Sequence, residues 1–152
     1  MLVIGGRRWG LVASVTRLVH FGPIPDEVRR KADACARVDA AFMRATQQGA
    51  ALADVFRAGM SAYAKEGFDG EWQHHHQGGL TGYNGRELLG TPTATHRIEA
   101  TQAFAWNPSI KGTKSEDTIL LTPNGTEIIT QEGEWPLIEC EGIKRPDILR
   151  LD

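Results

Sequence analysis

The sequence is poor in cysteine and lacks long hydrophobic runs. Its only two cysteines are Cys35 and Cys140, too few for a disulfide framework or for a zinc site built on paired cysteines. We therefore expect two reduced, mostly buried thiols. The longest apolar stretches, such as residues 11–15 and 119–121, are far shorter than a bilayer span, and no signal-type segment follows Met1. We expect no membrane partner and a cytoplasmic location.

An excess of charge of either sign is also missing. Seventeen Lys and Arg residues face nineteen Asp and Glu residues, which gives a formal net charge of −2 and an isoelectric point near 6.2. A nucleic-acid-binding surface needs a basic field that attracts phosphates. Because the sequence has no such field and no run of like charges, we expect no nucleic-acid partner.

The composition is typical of one globular domain over residues 1–152, with 41% hydrophobic and 24% charged residues. Strand-like alternation over residues 11–16, after glycines and an arginine pair, predicts a hairpin within residues 2–21. Two helical stripes follow. The stripes are Val28, Ala32, Cys35, Val38 and Phe42, ending at Gly49, and Leu52, Val55, Phe56, Met60 and Tyr63, ending at Gly67.

The second half of the chain has the character of loops and strands. Residues 70–85 are rich in glycine, which indicates loops and short strands. Residues 97–110 alternate again, strand-like segments flank a Pro-Asn-Gly turn at residues 123–125, and the tail has no clear periodicity. This order predicts an α+β domain with helices on one face of a curved, mainly antiparallel sheet.

Several motifs, taken in order, resemble a known superfamily. They are LVIGGRRWGLVASVTRLVHFG, the helix pair, HHHQGGLTGYNGREL and AFAWNPSIKGTKSEDTILLTPNGTEIIT. This order is similar to that of the creatinase, aminopeptidase P and methionine aminopeptidase superfamily, which includes the Xaa-Pro peptidases. The resemblance implies a partial pita-bread fold. It also implies that the chain is the carboxy-terminal portion of that domain and that the upstream part of the fold is absent from it.

The same resemblance assigns the positions of the family's five metal ligands, which are four carboxylates and one histidine. Four of these positions lack a charged or imidazole donor in this chain. The ligand positions correspond to Val3, Ser14, Gly79, Asn107 and Glu116, and the family's H-E pair corresponds to Arg86-Glu87.

This degenerate ligand set predicts no tightly bound divalent metal and no other cofactor. Hard dications need several anionic oxygens, whereas Val3 and Gly79 have no donor and Ser14 and Asn107 have only neutral oxygens. Without the metals there is no activated hydroxide and no Lewis acid. We therefore expect no dimetal peptidase activity.

Other polar residues are candidates for a cleft. Three consecutive histidines in an extended chain cannot all face one ion, so we expect His75 or His76 to be a hydrogen-bonding cleft residue. Arg86 and Glu87 fit either an acid with its orienting partner or a surface ion pair. A buried Glu116 should have a partner. The possible partners are Arg17, Arg86 and a histidine, and the candidate catalytic residues are Glu116, Glu87, His75, His76 and Arg86.

Hydrogen-bonding residues are concentrated around Glu116 in the sequence, namely Asn107, Ser109, Thr113 and Ser115. They fit either a pocket for a neutral or cationic small group or a hydrogen-bond network that replaces the lost metal shell. The candidate pocket residues are Ser14, Arg17, Asn107, Ser109 and Ser115.

Two functions remain open at this stage. The first is a non-catalytic family member with a binding or interaction role toward a small molecule or peptide. The second is a metal-independent, creatinase-like hydrolase of a small C–N substrate that uses histidine and glutamate as proton carriers. Its family histidine lies upstream of this chain, so full activity would need that region. We also expect a homo-oligomer, because unpaired strand edges near residues 2–21 are templates for pairing with another copy.

Overall fold

The computed structural model describes residues 1–131 and 133–152, and has two α-helices, a short 3₁₀ helix and thirteen strands. The helices are α1 (Asp26–Ala45) and α2 (Leu52–Lys65), with the 3₁₀ helix at Glu71–His74. The strands are β1 (Leu2–Arg8), β2 (Leu11–Arg17), β3 (Val19–Phe21), β4 (Gly78–Thr81), β5 (Leu88–Leu89), β6 (Ala103–Trp106), β7 (Ser109–Ile110), β8 (Thr113–Lys114), β9 (Asp117–Thr122), β10 (Gly125–Ile128), β11 (Leu137–Cys140), β12 (Ile143–Pro146) and β13 (Leu149–Leu151).

Both helices follow from the two apolar stripes. Helix α1 begins after Pro25, with Asp26 and Glu27 in its first turn, where acids interact favourably with the helix dipole. Helix α2 stops just before Gly67, whose φ of 78° suits the left-handed residue that follows many helices. The predicted helices are therefore confirmed, with α1 ending at Ala45 rather than at the glycine that was expected to stop it.

The helices pack on one face of a five-stranded antiparallel sheet with strand order β10-β9-β6-β4-β5. Phe42 of α1 stacks on Trp106 of β6 with 4.6 Å between ring centroids, and the indole N–H of Trp106 donates to Thr46 Oγ1 at 2.9 Å. Gly59 of α2 lies against the Phe42 ring, where a Cβ would come within 2.0 Å of it. This interlocked core fixes the helix-bearing face and leaves the other face of the sheet for the site.

The β1–β2 hairpin stands partly apart from the rest of the domain. Its strands pair from Leu2 opposite Arg17 to Arg8 opposite Leu11, and all seven residues of β1 are exposed. Strand β2 is tied to the main sheet by backbone hydrogen bonds from Val12 N to Gly82 O (2.8 Å) and from Thr16 N to Glu116 O (3.0 Å). The hairpin predicted in this region is confirmed, and it delivers Ser14 and Thr16 to the site.

Several other features correct or confirm the sequence-based expectations. Residues 97–102 do not form a strand. Ile98 is instead a core residue whose backbone N–H and C=O form hydrogen bonds with the loop between α1 and α2. The tail, for which no periodicity was found, forms the β11–β12 hairpin and a strand, β13, parallel to β3. Both cysteines are buried free thiols as expected. In the described residues, neither helix has the length and hydrophobicity needed to cross a membrane.

Candidate functional site

The centre of the site is a buried ion pair between Arg86 and Glu116. Nη2 of Arg86 lies 2.9 Å from Oε1 of Glu116, and the two side chains are 13% and 4% exposed. The second carboxylate oxygen accepts a hydrogen bond from Thr16 Oγ1 at 2.8 Å. Of the three partners expected for Glu116, Arg86 is the one that pairs with it. The ion pair compensates a carboxylate that would be costly to bury alone.

Ser14 also contacts the guanidinium of Arg86. Nη1 of Arg86 donates to Gly85 O at 2.5 Å and makes a long contact of 3.4 Å with Ser14 Oγ. Thr118 holds Ser14 in place, since its hydroxyl accepts from Ser14 N at 2.8 Å and donates to Ser14 O at 3.0 Å. Two of the positions assigned to metal ligands, Ser14 and Glu116, therefore contact the same cationic side chain.

Gly79, at the position of the histidine ligand, has no room for a side chain. Its φ is 148°, in the region that favours glycine, and a Cβ would lie 2.2 Å from Leu88 O and 2.8 Å from Gly90 N. These atoms belong to the segment that pairs β5 with β4. A histidine at position 79 would therefore displace backbone, not only side chains.

The remaining assigned positions do not converge on the ion pair. Val3 lies opposite Thr16 in the hairpin ladder and is 59% exposed. Asn107 is 6% exposed, and its Oδ1 has no hydrogen-bond partner among the described residues. Glu87 is exposed and accepts two hydrogen bonds from Asn84, each 2.9 Å long, so both pairings suggested for Arg86 with Glu87 are wrong.

A second polar group joins His75 to Ser109. Nε2 of His75 lies 2.5 Å from Ser109 Oγ, and Nδ1 lies 2.5 Å from the backbone oxygen of His76. Burial lowers the pKa of His75, and the charge of nearby Lys114 acts in the same direction. The pKa of His76 is also lowered, first by burial and then by the charge of Arg86. Of the two expected cleft histidines, His75 makes the side-chain hydrogen bond.

Ser115 and Arg17 belong to a different cluster from the one expected. Successive residues of an extended chain point to opposite faces, so Ser115 points away from Glu116 and donates to Asp39 Oδ2 at 2.6 Å. Arg17 pairs with Asp117 at 2.8 Å. The expectation that both residues line the Glu116 pocket is wrong for this geometric reason.

That second cluster is a buried ionic network that the sequence analysis missed. Arg145 is fully buried, with Nη2 2.5 Å from Asp39 Oδ2 and 2.9 Å from Asp117 Oδ2. Burial raises the pKa of Asp39 to about 6, against the opposing charge of Arg145. Asp39 lies between Cys35 and Phe42 on the buried stripe of α1, and an acid within an apolar stripe is the signal that would have revealed the network.

The donor set does not fit the dimetal site that the resemblance implies. Among residues 1–131 and 133–152, no group of three or more His, Cys, Asp and Glu side chains has the arrangement to hold a metal ion. The one carboxylate at a ligand position, Glu116, is paired with a guanidinium that carries its own positive charge. A dication beside Arg86 would meet repulsion and too few anionic oxygens.

Comparison with known proteins decides the family. Residues 1–123 match the model of metallopeptidase family M24. The chain belongs to this family. No curated protein sequence matches significantly.

Solved structures share the M24 fold of this chain. Dipeptidase PepE from Mycobacterium ulcerans superposes with a TM-score of 0.78 at 21% identity, over 97% of this chain and 38% of that one. The prolidase from Thermococcus sibiricus gives 0.78 at 19% identity, over 98% and 39%. The N-terminal domain of FACT complex subunit SPT16 from chickpea gives 0.68 at 17%, over 87% and 35%.

The chain therefore covers between 35% and 39% of the length of these three structures. At such identities the likeness establishes the fold alone. It confirms the α+β, partial pita-bread architecture expected from the motifs.

Proposed function

We propose that this M24 chain is a non-catalytic member with respect to dimetal peptidase chemistry and serves as a binding or interaction protein. The observation that carries the proposal is the position of Arg86. Its guanidinium contacts Ser14 and Glu116, both at positions where the family has metal ligands. A fixed organic cation compensates the retained carboxylate, so the fold keeps its charge complementarity without a metal.

The electrostatics of the cleft favour a neutral or anionic ligand group. Arg86 and Lys114 bring two positive charges near the single negative charge of Glu116. The lowered pKa values of His75 and His76 keep both imidazoles largely neutral at pH 7. A cationic ligand group, which the sequence also allowed, is disfavoured because Arg86 already pairs with the Glu116 carboxylate.

Three neighbours support a role in binding a peptide or a partner. The Thermococcus and Mycobacterium structures are named as a prolidase and a dipeptidase, so the fold accommodates short peptides. The chickpea domain is named as part of a subunit of the FACT complex, so the same architecture also occurs within an assembly. We propose a small molecule or a peptide with a free carboxylate as the ligand class for this chain.

Metal content and peptidase activity test the proposal together. We expect elemental analysis of purified protein to find far less than one equivalent of Mn, Co or Zn per chain. We also expect no cleavage of Xaa-Pro dipeptides with added manganese. Stoichiometric metal, or cleavage that disappears with a chelator, would contradict the proposal. Binding is then measured by calorimetry with Gly-Pro, comparing the wild type with Lys114→Met and with the exposed control Lys111→Met.

A metal-independent hydrolase is the second candidate function. The observation that favours it is the hydrogen bond between His75 and Ser109, in which a largely neutral imidazole contacts a hydroxyl. A general base of this kind needs no metal. A turnover screen with small amides and esters, on this chain and on any longer form of the protein, separates this candidate from the binding role.

We further propose a homodimer that pairs the free edge of β1 with a second copy. In the described residues β1 pairs only with β2, and its Leu2, Val3 and Ile4 are 49%, 59% and 54% exposed. Its first five residues carry no side-chain charge, and uncharged exposed edges are templates for strand pairing.

An antiparallel two-fold pairing centred on Ile4 suits this sequence. It places Leu2 opposite Gly6 and Val3 opposite Gly5 of the second copy, so large side chains face glycines and the arginines stay at opposite ends. Light scattering should give twice the 16.7 kDa of one chain. Ile4→Lys should give a monomer, whereas Leu137→Lys, in another sheet, should remain dimeric. A monomeric wild type would end this proposal.

A further inference from the structure

Ser109, His75 and the backbone of His76 form a chain of hydrogen bonds. The carbonyl oxygen of His76 only accepts, so Nδ1 of His75, 2.5 Å away, carries the ring proton. Nε2 is then an acceptor, and the hydroxyl of Ser109 donates to it across 2.5 Å. The tautomer follows from the hydrogen-bond network. The result is a hydroxyl on a base whose other nitrogen is fixed, the arrangement that activates serine nucleophiles.

The protonation state of His75 suits a base. The pKa of His75 is lowered from its usual value of 6.5, chiefly by burial. Its imidazole is therefore mostly unprotonated at pH 7 and has a free lone pair on Nε2. His75 and Ser109 are both only half-buried, so neither residue is sealed from solvent.

The backbone around Ser109 is held rigidly. Ser109 N donates to the Tyr63 hydroxyl at 2.8 Å, and Tyr63 itself is fully buried. Ser109 lies directly opposite Lys114 in the β7–β8 ladder, which places the two side chains next to each other. The Lys114 ammonium donates to Asn107 O at 3.1 Å. The register therefore places a basic residue beside Ser109 on the neighbouring strand.

We propose that Ser109 is a nucleophile for acyl transfer from small esters, with His75 as its general base and Lys114 as the cation that stabilises the oxyanion. The proposal rests on the second candidate function, the metal-independent hydrolase. The proposed nucleophile and base, Ser109 and His75, are not among the residues at the family's metal-ligand positions.

The reaction proceeds by addition and elimination. Ser109 Oγ forms a bond to the ester carbonyl carbon as its proton moves to Nε2 of His75, and the carbonyl π pair moves onto oxygen beside Lys114. When this adduct collapses, the bond to the alcohol oxygen breaks and the leaving alkoxide takes the proton from Nε2. Water then attacks the acyl-serine with His75 as base, which releases the carboxylic acid and restores Ser109.

A fluorophosphonate probe tests nucleophilicity without requiring turnover. Attack by Ser109 Oγ on phosphorus expels fluoride, so intact mass spectrometry should show one phosphonyl adduct, mapped by peptide digestion to Ser109. Ser109→Ala should abolish the adduct. His75→Ala should slow labelling by about 10²–10⁴-fold, the range for loss of a general base. The matched controls Ser61→Ala and His74→Ala, both at exposed positions, should label at the wild-type rate.

Two further measurements make the outcome decisive. The labelling rate should rise with pH through an inflection below 6.5, since only neutral His75 accepts the proton, and thermal melting should show that each variant is folded. An unlabelled wild type, or an adduct that persists in Ser109→Ala, overturns the proposal. Labelling at Ser109 without hydrolysis of p-nitrophenyl acetate supports the nucleophile and removes the hydrolase function.

Discussion

Replacing Arg86 by methionine tests whether the guanidinium compensates Glu116. Methionine keeps much of the side-chain volume but removes the charge and the hydrogen bonds. Glu116, with its side chain 4% exposed, would retain the hydroxyl of Thr16 as its donor. Breaking a buried ion pair by removing one partner costs about 3–5 kcal/mol. For a domain of this size, this corresponds to a fall in melting temperature of about 6–20 °C.

Urea denaturation at pH 7 measures the effect. The control is Arg30→Met, because Arg30 also pairs with a glutamate, Glu27, at 3.0 Å but on the exposed surface. An exposed pair contributes at most about 1 kcal/mol.

A double-mutant cycle separates loss of the ion pair from other effects of the substitution. Glu116→Gln combined with Arg86→Met should be more stable than the sum of the two single changes predicts, by about 0.5–3 kcal/mol. If Arg86→Met costs no more than Arg30→Met, or if the two single changes are simply additive in the double mutant, the compensation argument is wrong.

Two further predictions concern the lost ligand and the buried network. Gly79→His should not restore metal binding and should destabilise the fold more than the exposed control Gly112→His, because the new Cβ at position 79 would lie 2.2 Å from the Leu88 carbonyl oxygen. Melting curves and elemental analysis measure the two effects. Metal uptake without loss of stability would contradict the prediction. Asp39 has a folded-state pKa of about 6, above its usual 3.8, so the folded state binds this proton more tightly than the unfolded state. Its contribution to stability is therefore fully present below pH 4 and is lost as the pH rises through about 6. Asp39→Asn should flatten this part of the stability profile in urea titrations, and an unchanged slope would contradict the assignment.

The sequence predicted the helices and the hairpins because their signals are local. The stripes on α1 and α2 and the turn before Gly125 depend only on neighbouring residues. The ion pair of Arg86 with Glu116 was only one of three pairings considered, since its choice depends on how residues 30 positions apart meet. The His75–Ser109 bond spans 34 positions, and nothing local in the sequence indicates it.

The carboxy-terminal segment also makes long-range contacts that the sequence does not indicate. Arg145 stands in a segment without periodicity, yet it is the most deeply buried cation of the described chain, 106 positions from Asp39. Burying an arginine requires partners that neutralise it, and these partners come from α1 and β9. Only the three-dimensional arrangement reveals that the tail closes a network begun by the first helix.

The adjacent acids Glu116 and Asp117 show how the fold tolerates the loss of metal ligands. They point to opposite faces, and each meets an arginine, Arg86 on one face and Arg145 on the other. Asp117 also pairs with Arg17, and Asp39 offsets the extra positive charge. The Glu116 face also holds Lys114, so its two cations exceed its one carboxylate, and a dication there would meet positive charge and too few anionic oxygens. Recovery of a dimetal centre therefore requires the removal of Arg86 together with the addition of carboxylates, and a single substitution toward the family pattern should not bind metal.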